Sequence, residues 1–188
     1  MSCNELQIAQ AVAEGVLPSP TVWLNASYVS LRLSGTGVAF RRSANEFVFR
    51  DKADWCSATM LRRALGLPVC IEHPSTGSLT SAAFALTCVG YIIYSYVHPI
   101  EDAPWGILRC LDANAAKLIA DGVFDTSPGV IIAPENCATI EVEGRKLLCE
   151  GPPLLWDHIA LVDHTDGNRG VWTRSDSPGV EVTEPVEE

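Results

Sequence analysis

A mainly β fold of the α+β class is predicted for this chain, and three observations predict it. Short apolar runs bounded by Gly, Pro, Asn and Ser recur at close spacing from about residue 21 onward, as half-buried strands require. Only three segments carry helix start and stop signals. The 188 residues are 47% hydrophobic and 19% charged, enough to bury one sizeable core and too apolar for a disordered chain. Many short strands interrupted by few helices predict a barrel or sandwich of antiparallel strands.

The elements follow in order. A helix is expected over 5–14, closed by Gly15 and the Pro18/Pro20 pair. Strand-like alternation then occupies 23–33, 38–40 and 46–50. Ser57 reads as the N-cap of a helix over 58–65, stopped by Gly66 and Pro68. Strands are expected at 69–73, 88–97, 105–111, 130–133, 138–142, 146–150 and 157–163. Between them, Asp112 caps a helix over 113–121 whose Ala115, Leu118 and Ile119 share a face, and Gly122 ends it. Ser-Pro-Gly-Val occurs at 127–130 and again at 177–180, too short a match to mean duplication.

Charge and cysteine usage exclude several functions. A formal net charge of -10 opposes a nucleic-acid surface, which needs clustered Lys and Arg. No stretch approaches the ~20 apolar residues of a membrane span. The seven cysteines stand singly at 3, 56, 70, 88, 110, 137 and 149, without the paired spacing of a zinc or redox motif. With no basic and apolar leader at Met1, they read as free thiols in a reducing compartment. The chain lacks Gly-x-Ser-x-Gly, His-Glu-x-x-His and the phosphate-binding Gly-x-x-x-x-Gly-Lys. No metal and no cofactor are expected.

Chemistry is concentrated in three places. His73 follows the run Leu67-Pro68-Val69-Cys70-Ile71-Glu72, and His158 lies within Leu154-Leu155-Trp156-Asp157-His158-Ile159-Ala160-Leu161-Val162. Ser127 stands between them in Thr126-Ser127-Pro128-Gly129, read as a tight turn leading into a buried strand. A serine hydroxyl needs a base within hydrogen-bond reach, an imidazole titrates near working pH, and the base needs a third group to fix its tautomer. Each residue also has an ordinary structural reading: a satisfied polar group at a strand end for either histidine, a turn former for Ser127. His98 and His164 read as loop residues. Cys137 is a conceivable alternative nucleophile, without a local cue for a lowered pKa. Pro128 has no N–H, so an oxyanion donor would have to be the Gly129 N–H or a group from another segment.

At these residues the chain resembles the maturation (prohead) proteases of tailed bacteriophages, which share a fold with the herpesvirus assemblins. The resemblance spans about 38–180. It rests on Gly66-Leu67-Pro68-Val69 through Glu72-His73-Pro74, Val89-Gly90, Trp105-Gly106-Ile107, Thr126-Ser127-Pro128 and Asp157-His158-Ile159-Ala160, with Val38-Ala39-Phe40-Arg41 and Phe49-Arg50-Asp51 at the front. It implies an assemblin-like antiparallel β-barrel with a few flanking helices, divided into an N-terminal helix or arm (1–20), a protease domain (21–174) and an acidic flexible tail (175–188). It implies a serine endopeptidase with Ser127 as nucleophile, His73 as general base and His158 as third member. The implied partners are scaffold protein, major capsid protein and portal, met in the host cytoplasm within the assembling prohead, with self-cleavage and homodimerisation as further options. Pro128 stands where many relatives carry a small residue, and the segment after Val162 is longer and more polar, which puts the oxyanion arrangement in doubt. Two other readings stay open: a catalytically inactive barrel serving capsid assembly, and a metal-dependent hydrolase using His73, His158 and an acidic residue.

Overall fold

The computed structural model describes residues 4–41, 45–142 and 144–163; His164 and the expected tail at 175–188 lie outside the described residues. Asn4 starts helix α1 (Glu5–Ala13) with a capping box. Its side chain accepts from the Gln7 N–H, and the Gln7 side chain accepts from the Asn4 N–H. Strands β1 (Thr21–Trp23) and β2 (Ala26–Arg32) form a hairpin, so the run expected as one strand over 23–33 is broken, at Leu24 with φ 54°.

Then come β3 (Gly37–Arg41), β4 (Glu46–Arg50), helices α2 (Lys52–Trp55) and α3 (Ala58–Arg63), β5 (Pro68–Ile71) and helix α4 (Ser81–Thr87). The chain continues through β6 (Cys88–Val97), β7 (Pro104–Cys110), α5 (Ala113–Ala120), β8 (Phe124–Ile131), β9 (Cys137–Val142), β10 (Arg145–Glu150) and β11 (Leu155–Asp163). Helices α2 and α4 were not expected. One is four residues long and the other buries no side chain, so neither has an apolar stripe to read; their N-caps, Asp51 and Thr80, are the only local cues.

The strands do not close into a barrel. Seven of them form an open sheet in the order β1-β2-β7-β6-β5-β11-β8, and four form a second sheet in the order β3-β4-β10-β9. A barrel would need β1 to pair with β8, whereas among the described residues β1 pairs with β2 alone and β8 with β11 alone. Nor is the pairing purely antiparallel, because β5/β11 and β4/β10 are parallel. The expected antiparallel β-barrel is therefore replaced by a mixed α+β fold with two open sheets. The physical reason is that period-2 alternation fixes which face of a strand is buried but not which strand lies beside it.

The seven-stranded sheet is packed on both faces. Val29 and Leu31 of β2, with Leu108 and Cys110 of β7, join Trp55, Met60, Ala64, Ala115 and Ala116 in the main core. The alternate residues Ala26, Tyr28 and Ile107 meet Ile8, Ala9 and Val12 of α1 on the other face. Among the described residues no helix is long and apolar enough to cross a membrane.

Candidate functional site

Strand alternation puts two of the three singled-out residues on one face. Ser127 and Gly129 are two apart on β8, and Gly129 is the cross-strand partner of His158 on β11. Cross-strand partners project to the same face, so the Ser127 hydroxyl and the His158 imidazole emerge side by side. Ser127 belongs to the interior of a strand and not to the tight turn expected for it. His158 is fully buried. Its ring lies over the bare Cα of Gly129, where an added Cβ would fall 2.2 Å from Cε1 and 2.5 Å from Nδ1 of the imidazole. Gly129 thus has a packing duty that the sequence did not disclose.

His73 arrives from the other flank of β11. Strand β5 runs parallel to β11, with Cys70 opposite Ala160 and Ile71 opposite Leu161. Glu72 then takes a left-handed backbone, φ 59°, unusual for a residue with a Cβ. Two hydrogen bonds hold it there: its N–H donates to the Leu161 carbonyl at 3.0 Å, and its carboxylate Oε1 accepts from the Asp163 N–H at 3.0 Å. The chain turns at this point, and the His73 ring comes to rest between Ser127 and His158.

The three side chains form a continuous relay. Ser127 Oγ lies 2.8 Å from His73 Nε2, and His73 Nδ1 lies 2.9 Å from His158 Nε2. The two rings meet edge to face, with centroids 5.1 Å apart. The relay does not end at His158, whose Nδ1 is 2.8 Å from Oδ2 of Asp157. That same oxygen accepts from the Leu79 N–H at 2.7 Å. The sequence reading gave Asp157 no role, and in a regular strand adjacent residues would point to opposite faces. The strand is not regular here: Trp156 pairs with Val130 and His158 with Gly129, which leaves Asp157 as the extra residue of a β-bulge.

Comparisons with models of protein families, with curated proteins and with solved structures each found no match.

Ser127 opens onto a groove of about 400 Å³ between the two sheets. Its walls carry His73, Gly77, Gly129 and Ile132 on one side and Arg41, Arg50, Cys137 and Glu150 on the other. Glu150 is saturated by cations: Arg50 Nε and Nη2 donate to its Oε2 at 2.9 and 2.7 Å, and Arg41 donates to its Oε1. Burial alone would raise the Glu150 pKa, but Arg50 and Arg41 together outweigh it and hold the group below its ordinary range. Arg50 also stacks 3.9 Å above the Trp55 ring, and burial brings its guanidinium down to about 10 despite Glu150.

Desolvation lowers the His73 pKa, the neighbouring His158 lowers it further, and Glu72 opposes both. His73 is exposed by area toward the groove, yet its surroundings are dense enough for desolvation to lead. A lowered value keeps His73 neutral, the form that can accept a proton. At Cys137, the alternative nucleophile, burial and the charge of Glu150 push the thiol up, against formation of the thiolate. Among the described residues no three His, Cys, Asp or Glu side chains are grouped to hold a metal. His98 lies away from the groove, between Tyr96 and Trp105, with its Nδ1 accepting from the Glu101 N–H.

Proposed function

We propose that the chain is a serine endopeptidase in which Ser127 is the nucleophile and His73 the general base, with His158 positioning His73. The observation that carries this reading is the 2.8 Å contact between Ser127 Oγ and His73 Nε2, with the far nitrogen of His73 itself held 2.9 Å from His158 Nε2. Nucleophile, base and orienter within hydrogen-bond reach form the arrangement that activates a hydroxyl. In the first step Oγ bonds to the scissile carbonyl carbon while its proton passes to His73 Nε2. The tetrahedral intermediate collapses as His73 returns the proton to the leaving amine. Water then repeats the sequence on the acyl-enzyme and regenerates the hydroxyl. Pro128 cannot supply an oxyanion donor, which leaves the Gly129 N–H or a group from another segment for that role.

The groove beside Ser127 is open between two sheets, which suits an extended polypeptide. Scaffold and capsid-associated proteins as substrates, and action inside a phage prohead in the host cytoplasm, rest on the resemblance of the segments around His73, Ser127 and His158 to maturation proteases. The test is a serine-directed fluorophosphonate probe with mass-spectrometric location of the adduct. Modification of Ser127 is expected in the wild type and none in Ser127→Ala. Turnover of a scaffold substrate should fall on the order of 10⁶-fold in Ser127→Ala. Undiminished cleavage by that variant removes the nucleophile assignment.

A further inference from the structure

We infer that Asp157 is a positioning residue of this site, one that sets the proton positions on both imidazoles and supplies the negative charge behind them. The inference deepens the endopeptidase reading and rests on it for its kinetic part alone.

A carboxylate only accepts hydrogen bonds, so the 2.8 Å contact to His158 Nδ1 must carry the proton on that nitrogen. In the neutral ring His158 Nε2 is then a bare acceptor. The 2.9 Å contact from His73 Nδ1 must therefore carry its proton on His73. His73 Nε2 is left bare in turn and faces the Ser127 hydroxyl at 2.8 Å as a proton acceptor. One anion at the end of the chain thus dictates every donor and acceptor up to the nucleophile. Reverse the polarity at Asp157, and His73 presents an N–H to Ser127 and ceases to be a base.

Two features make Asp157 reliable in this task. The β-bulge lets it share a side of the strand with its neighbour His158. The Leu79 N–H, in the segment between β5 and α4, donates to the same Oδ2 at 2.7 Å. That second donor demands an oxygen at this point whatever residue provides it. The Leu79 contact also ties the loop that bears His73 to the strand that bears His158. The carboxylate further answers the weakness of a His-His pair, because a neutral second imidazole orients the base but brings no charge to offset an imidazolium.

The Leu79 contact makes Asp157→Asn and Asp157→Ala behave differently. In Asp157→Asn the amide oxygen is drawn to the Oδ2 position by two donors, so the tautomers persist and only the charge is lost. Labelling of Ser127 by the fluorophosphonate should slow by about 10- to 100-fold. In Asp157→Ala the charge is lost as well and the tautomers are no longer dictated, so labelling should slow further than in Asp157→Asn.

The independent readout is the ¹⁵N spectrum of histidine-labelled full-length protein above pH 7, with His73 and His158 assigned by comparison with His98→Gln and His164→Gln. Wild type and Asp157→Asn are expected to show protonated Nδ1 on both rings; Asp157→Ala is expected to show mixed tautomers. A wild-type spectrum with protonated Nε2 on either ring overturns the inference, as does unchanged labelling in Asp157→Asn should the alanine variant fail to fold. If Ser127 resists the probe while the tautomers are as described, the endopeptidase reading fails and the positioning role stands. If Ser127 reacts and the tautomers are otherwise, the reverse holds.

Discussion

Replacing Gly129 by alanine is the smallest change that should disable the site without removing any reactive group. The added Cβ would lie 2.2 Å from Cε1, 2.5 Å from Nδ1 and 2.7 Å from Nε2 of His158. To regain an ordinary contact near 3.4 Å, ring and methyl must separate by about 1.2 Å. The ring has little room to give, since it is fully buried and tethered at both nitrogens by bonds of 2.9 and 2.8 Å. A retreat of that size stretches at least one bond beyond hydrogen-bonding range. Overpacking of this kind costs about 1–3 kcal/mol, and a misplacement of about 1 Å in a catalytic array costs roughly 10²-fold in rate. Urea unfolding should show the midpoint falling by about 0.5–1.5 M for a typical denaturant slope. Fluorophosphonate labelling of Ser127 should slow by at least the same 10²-fold. A Gly129→Ala protein with wild-type midpoint and labelling rate would refute the packing of His158 on this glycine.

Glu150→Gln should destabilise the fold by about 3–5 kcal/mol, because it removes the negative charge held against the buried Arg50 and turns an amide NH₂ toward donors; urea unfolding at pH 7 measures it. The lowered Glu150 value adds a signature: its contribution is complete above the unfolded value near 4.5 and is lost as pH falls through the lower folded one, a loss that the glutamine variant should lack. For His73 the folded value lies below 6.5, so the unfolded chain binds more protons beneath that pH and stability falls as pH drops through this window. The acid limb of Ser127 labelling should likewise sit below 6.5, and a limb above it would contradict the dominance of desolvation at His73.

Residues that announce themselves by chemistry were legible in the sequence, and relations between strands were not. Strand β4 over 46–50 and strand β6 over 88–97 fall where alternation places them, and helix α5 begins beside its Asp112 cap as expected. His73, Ser127 and His158 could be singled out because imidazoles and a hydroxyl stand apart from the apolar runs around them, and the structure brings all three together. Asp157 could not, for a carboxylate next to a strand histidine reads as pointing away from it. Only the bulge reverses that, and a bulge is a mismatch between two strands, invisible in either one alone. The left-handed Glu72 was hidden for a similar reason, since its conformation is held by Leu161 and Asp163, some ninety positions away.

One misread signal links the error in fold to the error at Ser127. Proline inside a strand removes a ladder donor and is tolerated almost solely at an edge. Read as a turn, Ser127-Pro128-Gly129 is silent about the sheet. Read as strand, Pro128 already requires an unpaired flank, and a closed barrel has none. Strand β8 is such a strand, paired among the described residues with β11 on one side only. Its three central residues then make sense together. Ser127 projects into the groove, Pro128 occupies an edge where its missing N–H is tolerated, and Gly129 yields its side-chain space to His158. Among the described residues this open edge borders the groove, an arrangement that a closed barrel would not allow.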